Sequence, residues 1–252
     1  DDGKEYIFYL NKNAKWSNGE VMTADDFVWS WMRILTASLG SQYPDMLYYL
    51  EGAEEYHTGK MTDFSEVGIK AIDDHTLKVN LKSPTPFFLG LLSHYSTWPV
   101  HKETVLKHGS IDDRTGQWTR PGNFVCNGPF QLKSWELNNK IVVEKNPHYW
   151  DAETVKLNEM HFYPVSNVMT EDRMFRAGQL HLTSTLPSQK CPVYIEEKNP
   201  DLRIDPYMGQ YFYRLNINNP YLTDVKVRKA LAYSINRKLL VEKVTKCGQI
   251  PA

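Results

Sequence analysis

Long apolar runs are missing from this 252-residue chain. One of the longest, Phe87-Phe88-Leu89-Gly90-Leu91-Leu92, falls far short of the roughly 20 residues a bilayer-spanning helix needs. A surplus of either charge is also missing. Lys and Arg number 29 against 30 Asp and Glu, a formal net charge of −1, and no basic run stands out, which excludes nucleic acid or an anionic membrane surface as the expected partner. Cysteine is scarce. Cys126, Cys191 and Cys247 fit neither a zinc knuckle nor a CxxC redox motif; one disulfide with a thiol left over, three buried thiols, or a partner cysteine outside this stretch all stay open. The chain starts at Asp1-Asp2-Gly3, directly before a strand-like segment and without Met or a signal peptide, so it is expected to be a piece of a longer protein.

Catalytic signatures are lacking as well. There is no GxSxG, HExxH, GxGxxG or P-loop pattern, and the 8 histidines have no ligand-like spacing, so neither an enzyme nor a cofactor or metal site is expected. The acidic pairs Asp25-Asp26, Asp73-Asp74 and Asp112-Asp113 read as helix caps or turns rather than catalytic dyads.

What is present is a globular composition, 41% hydrophobic and 13% aromatic, enough to bury a sizeable core. Alternation marks Glu5 to Leu10 and Thr76 to Leu81 as strands, and Asn18-Gly19 after Trp16 as a tight turn. Thr23 with Asp26 resembles a capping box, opening a helix with Phe27, Trp31, Ile34 and Leu35 on one face. Gly109 to Asn123 lacks periodicity and reads as a loop with a lobe boundary near it. Further strands are expected at Lys140–Lys145, Glu159–Pro164, Leu180–Thr183, Leu202–Ile204 and Tyr211–Asn218. Helices are expected from Asn167 to Ala177, closed by Gly178, and after Thr223, with Val227, Ala230, Leu231, Ser234 and Ile235 on one face; another begins near Asn236. Strands and helices intermix without a regular βαβ rhythm, and the fold class is mixed α/β with more than one lobe.

Three segments, in a fixed order, add a resemblance. Tyr6-Ile7-Phe8-Tyr9-Leu10 with Ala14-Lys15-Trp16-Ser17-Asn18-Gly19-Glu20 and Thr23-Ala24-Asp25-Asp26-Phe27 resembles the entry motif of the family 5 bacterial extracellular solute-binding proteins. Cys126-Asn127-Gly128-Pro129-Phe130 through Trp135 to Asn146-Pro147-His148-Tyr149-Trp150 is similar to a second family stretch. Asp224-Val225-Lys226-Val227-Arg228-Lys229-Ala230-Leu231, running on to Gly248-Gln249-Ile250-Pro251-Ala252, looks like a third. Gln42-Tyr43, Gly68 to Thr76 and His94 are most similar to the oligopeptide-binding branch.

The resemblance implies a periplasmic-binding-protein-like class II fold of which this chain covers roughly half: residues 1–108 as a smaller lobe, 109–206 as part of the first main lobe, and 207–252 as a crossing strand and helices opening the second. It implies an extracytoplasmic, non-enzymatic component of an ABC importer that holds an oligopeptide between lobes, with permease subunits as partners and a membrane link only through the importer or a lipid anchor. Another solute (a dipeptide, a nickel chelate, or a glycan stacked on some of the 7 Trp and 15 Tyr) and an envelope protein-interaction module are the alternatives. Tyr43, His94, Ser184, Thr185, Tyr207 and Phe212 are the implied ligand-facing residues. The Ser184-Thr185 stretch departs from the branch, which has a Tyr and two amide residues there and is one residue longer.

Overall fold

The structure, a computed structural model, describes residues 3–205 and 207–251; Asp1 and Asp2 at the start, Pro206, and Ala252 at the end of the third motif lie outside the described residues. Two compact units divide the chain, Asp1–Pro164 and Val165–Ala252.

In the first unit β1 (Glu5–Tyr9) leads to the Asn18-Gly19 turn. There Gly19 takes a left-handed φ of 91°, and Trp16 N–H donates to the Glu20 carbonyl at 2.8 Å, closing the hairpin over the buried Trp16 ring. Helix α1 (Ala24–Leu35) starts one residue after Thr23, whose N–H donates to the Asp26 carboxylate at 2.8 Å, the reciprocal half of a capping box. The Trp16 indole N–H donates to the same carboxylate at 3.2 Å, so the hairpin and the helix start share one acceptor. Burial of Asp26 pushes its pKa up against these donors. Helix α2 (Ala53–His57) follows a short 3-10 turn, Pro44–Leu47, and with it buries Leu47, Leu50 and Ala53.

Strands β2 (Ile69–Asp73) and β3 (Thr76–Asn80) complete a sheet in the order β1-β3-β2, antiparallel throughout, with Tyr6 opposite Val79 and Phe8 opposite Leu77. The period of two puts Leu77, Val79 and Ile69 on the face that α1 covers through Trp31 and Leu35. On β1 and β3, Glu5 and Lys78 make an ion pair at 2.6 Å that is partly open to solvent and contributes little. Short helices α3 (Phe88–Leu91) and α4 (Lys102–Lys107) follow, anchored by the buried Phe88 and Val105. The stretch from Gly109 to Asn123 is irregular apart from one 3-10 turn, Gln117–Thr119, and it packs on α1: the Arg33 guanidinium lies 5.6 Å over the Trp118 ring and donates to the Asp113 carbonyl at 3.3 Å. The compact units divide at Pro164.

A second antiparallel sheet, order β4-β5-β6, comprises β4 (Phe130–Glu136), β5 (Lys140–Lys145) and β6 (Glu159–Phe162). Fully buried Asn146 ties its approach together. Its amide donates to the Gly128 carbonyl at 2.9 Å, its N–H to the Pro129 carbonyl at 3.0 Å, and its side-chain oxygen accepts from His148 N–H at 2.9 Å. Such a group tolerates burial because it is satisfied on every side.

The second unit holds α5 (Val168–Arg176), α6 (Cys191–Glu196), α7 (Val225–Ser234) and α8 (Arg237–Leu240), the last running into a π turn at Val241–Thr245. Asn167 caps α5 and Gly178 ends it at φ 71°. Asp224, not Thr223, caps α7 by accepting from Lys226 N–H at 2.8 Å; an Asp directly before the helix outcompetes the Thr one residue further out. Asn236 caps α8. Cys191 pairs with Cys247, which leaves Cys126 as the free thiol.

Three expected strands are corrected. Leu180–Thr183, Leu202–Ile204 and Tyr211–Asn218, the last being the expected crossing strand, are irregular and unpaired, with a bend at His181 and a turn at Ile217-Asn218. Alternation records which side chains want burial, whereas a strand also needs a neighbouring backbone, and no described segment of this unit supplies one.

In α5, Asp172 is 3% exposed and accepts from Lys190 and from the Tyr194 hydroxyl. Burial alone would raise its pKa, but these two donors together with the charges of Lys190 and Arg176 outweigh it and hold the carboxyl below its ordinary value. Its stabilising effect is therefore present above the usual carboxylate pKa and lost as the pH falls through the depressed one. Asp172→Asn is expected to cost about 1–3 kcal/mol at neutral pH, and urea melts should show that gap closing below about pH 4. In the first unit, Phe88→Ala is expected to cost about 3–5 kcal/mol by the same measurement.

Candidate functional site

Two turns of the first unit bring a pair of the expected residues together. Tyr43 stands at the head of the Pro44–Leu47 turn, where Pro44 fixes the backbone and buried Leu47 pins the turn to the core. His94 heads a second 3-10 turn, Tyr95–Thr97, and caps it by its own side chain: Nδ1 accepts from Ser96 N–H at 3.3 Å and lies 2.8 Å from the Ser96 hydroxyl. With Nδ1 accepting, a neutral imidazole carries its proton on Nε2. Thr97 braces the turn, its hydroxyl reaching the Leu92 and His94 carbonyls at 2.9 and 2.8 Å, and its own carbonyl accepts from the buried Trp31 indole at 2.8 Å.

The outcome is an aromatic triad. The Tyr43 ring meets His94 edge-on at 5.1 Å and Tyr95 at 5.8 Å, while His94 and Tyr95 stack at 4.3 Å. Tyr43 and His94 are half-buried; Tyr95 is 58% exposed. A hydrogen bond with Tyr43, assisted by desolvation and the nearness of a second phenol, holds the Tyr95 phenol above its ordinary pKa. Two hydroxyls and an imidazole on flat rings form a surface that can hydrogen-bond and stack at once. Tyr95 was not among the residues expected from sequence, and its place directly after His94 was the available signal.

The other four expected residues belong to the second unit. Ser184 N–H and its hydroxyl both donate to one Glu171 carboxylate oxygen, at 2.8 and 3.2 Å, so the serine's donors are spent on tying its loop to α5 while the residue stays exposed. Thr185 beside it is exposed. Tyr207 is 91% exposed, and Phe212 is exposed with the Arg214 guanidinium 5.9 Å over its ring. Neither is packed as a hinge residue would be within this unit.

The Tyr43 to Tyr95 coupling has a direct readout. In a spectrophotometric titration Tyr43→Phe should bring the Tyr95 phenol down toward the ordinary value near 10, with Tyr95→Phe identifying the band; an unchanged titration would contradict the coupling.

The family model described as bacterial extracellular solute-binding proteins, family 5 Middle, matches residues 1–252. The periplasmic oligopeptide-binding protein OppA of Escherichia coli is 38% identical over all of this chain and 46% of its own length. OppA of Burkholderia pseudomallei superposes with a TM-score of 0.91 at 35% identity, over 98% of this chain and 48% of that one. Haemophilus influenzae OppA in complex with the peptide RPPGFSPFR gives 0.90 at 33% identity, over 98% and 48%. The chain thus spans about half the length of the relatives it matches, and its mixed α/β architecture is about half of a periplasmic-binding-protein-like fold. No described helix is long and apolar enough to cross a membrane. With the family model matching from the first residue to the last, the chain belongs to the bacterial extracellular solute-binding proteins of family 5.

Proposed function

We propose that this chain supplies part of a two-lobed clamp that captures oligopeptides outside the cytoplasm and presents them, chemically unchanged, to an ABC importer. One observation carries the reading: the backbone follows that of a peptide-bound relative over 98% of its length, with the Tyr43, His94 and Tyr95 triad built on two braced turns. In such a clamp the peptide lies extended. Hydrogen bonds to its backbone are common to all sequences, and hydrated pockets discriminate side chains weakly, which suits broad specificity. Closure follows the ligand because only the closed form contacts it from both sides, and the permease subunits read that form.

Within this reading, residues 1–108 form the smaller lobe, 109–206 part of the first main lobe, and 207–252 the opening of the second. Tyr43 and His94 face the cargo, and Ser184, Thr185, Tyr207 and Phe212 line the cleft in the complete protein. Support for the last pair comes from the second unit's exposed apolar side chains: Tyr207 at 91%, Tyr211 at 89%, Leu182 at 84% and Tyr213 at 74% are too many to leave in water without a covering surface. The protein works in the extracytoplasmic envelope, as its family's description and the periplasmic relative's name state for those proteins. Its family is described as solute-binding, and the reading gives the triad a binding role in which the cargo leaves chemically unchanged.

Calorimetry on the full-length protein with a panel of short peptides of mixed sequence tests this. Several peptides should bind, and Tyr43→Ala should weaken them by about 1 kcal/mol, roughly fivefold. Failure of every peptide, with binding of a dipeptide, a nickel chelate or a glycan instead, would transfer the clamp to that solute; binding of none would leave the protein-interaction reading.

A further inference from the structure

We propose that Glu20, His101 and Glu103 form a binding site for a divalent transition-metal cation of the zinc class, independent of the peptide site. The three come from two places in the chain. Glu20 lies in the hairpin after Asn18-Gly19; His101 caps α4 and Glu103 occupies that helix's first turn, 81 positions separating Glu20 from the histidine. The imidazole is 3% exposed, with the Trp16 ring 5.1 Å away edge-on. Its Nε2 lies 2.7 Å from the Glu20 carboxylate and 3.6 Å from that of Glu103, and the three ligand atoms all fall within 4.8 Å of one another.

A structural histidine needs one partner on this nitrogen, and Glu20 already supplies it. A second carboxylate brought to the same point adds like-charge crowding, and Asp26, tied to Thr23 and Trp16, feels the charges of both His101 and Glu103. Two carboxylates on one imidazole, with a third felt electrostatically, leave a local negative excess that a dication would neutralise. The spacing suits zinc. Ligands held tetrahedrally at about 2.0–2.1 Å from Zn²⁺ stand about 3.3 Å apart, between the two distances seen, and exposed Glu103 is free to make the small adjustment.

The ligand set, one imidazole and two carboxylates with water to complete the shell, matches zinc better than calcium or magnesium, which require more oxygens. The other ring nitrogen has its outer partner in place. Nδ1 accepts from Thr104 N–H at 3.3 Å and lies 2.8 Å from the Thr104 hydroxyl, so metal binding at Nε2 moves the imidazole proton to Nδ1, where the hydroxyl accepts it in place of the cap bond. The bound ion would join the hairpin to α4.

Titration of the intact, EDTA-stripped chain with zinc chloride alone is the test, followed by calorimetry and, with cobalt chloride, by visible absorption. One equivalent should bind saturably. Glu103→Gln, at an exposed side chain, should weaken it about tenfold or more, and Glu20→Gln likewise, with circular dichroism unchanged. Zinc should raise the melting temperature of the wild type and not of Glu103→Gln. No saturable zinc binding, or the same affinity in both variants as in the wild type, overturns the proposal.

Discussion

Trp31 links the interior of the first unit to its aromatic surface. Its ring is buried against the sheet built on β3, and its indole N–H is committed to the Thr97 carbonyl in a buried hydrogen bond of 2.8 Å. A buried donor left without an acceptor costs about 1–3 kcal/mol, so the core dictates where the Tyr95–Thr97 turn must lie. Neighbours on α1 act alike: the Ser30 hydroxyl accepts from Val100 N–H at 2.9 Å, and Arg33 holds the Gly109–Asn123 loop. One face of the helix packs the sheet, and its polar groups place the chain that crosses it. The triad of Tyr43, His94 and Tyr95 inherits its precision from that arrangement, since His94 and Thr97 stabilise a turn whose far end is already fixed.

The residues that betray the family have structural tasks more than ligand-facing ones. Trp16, Asn18-Gly19, Thr23 and Asp26 close a hairpin onto a helix, and Asn146 clamps the Gly128-Pro129 segment to the start of the Asn146–Trp150 stretch. The first two motifs also meet: Ser17 N–H donates to the Cys126 carbonyl at 2.7 Å and the Ser17 hydroxyl accepts from Cys126 N–H at 3.2 Å. Motifs of this kind identify a scaffold. They say little about cargo, which is why the solute is proposed from the site and the relatives together.

Local chemistry made much of the first unit readable. A capping residue, a turn dipeptide and strands of period two each declare themselves within a few residues, and β1, β3, β5, α1 and α5 lie close to where the pattern puts them. The acidic pairs also behave as turn and cap residues: Asp26 caps α1, Asp73 accepts from His75 N–H, and Asp113 from Thr115 N–H. What stayed hidden depends on distant partners. Tyr211–Asn218 alternates like a strand but finds no ladder among the described residues, the Cys191 to Cys247 pairing spans 56 positions, and the Glu20 to His101 contact spans 81. Within the site, the resemblance pointed to Tyr43 and His94, and the coordinates add Tyr95 in contact with both.

If the core truly sets the geometry of the binding surface, then removing one buried N–H should loosen a site it never touches. Trp31→Phe keeps an aromatic ring in the core and deletes the donor to Thr97. NMR of this variant should show a folded protein in which the ring-current shifts and cross-peaks joining Tyr43, His94 and Tyr95 are weakened or averaged. A folded Trp31→Phe protein with those signals unchanged would contradict the account.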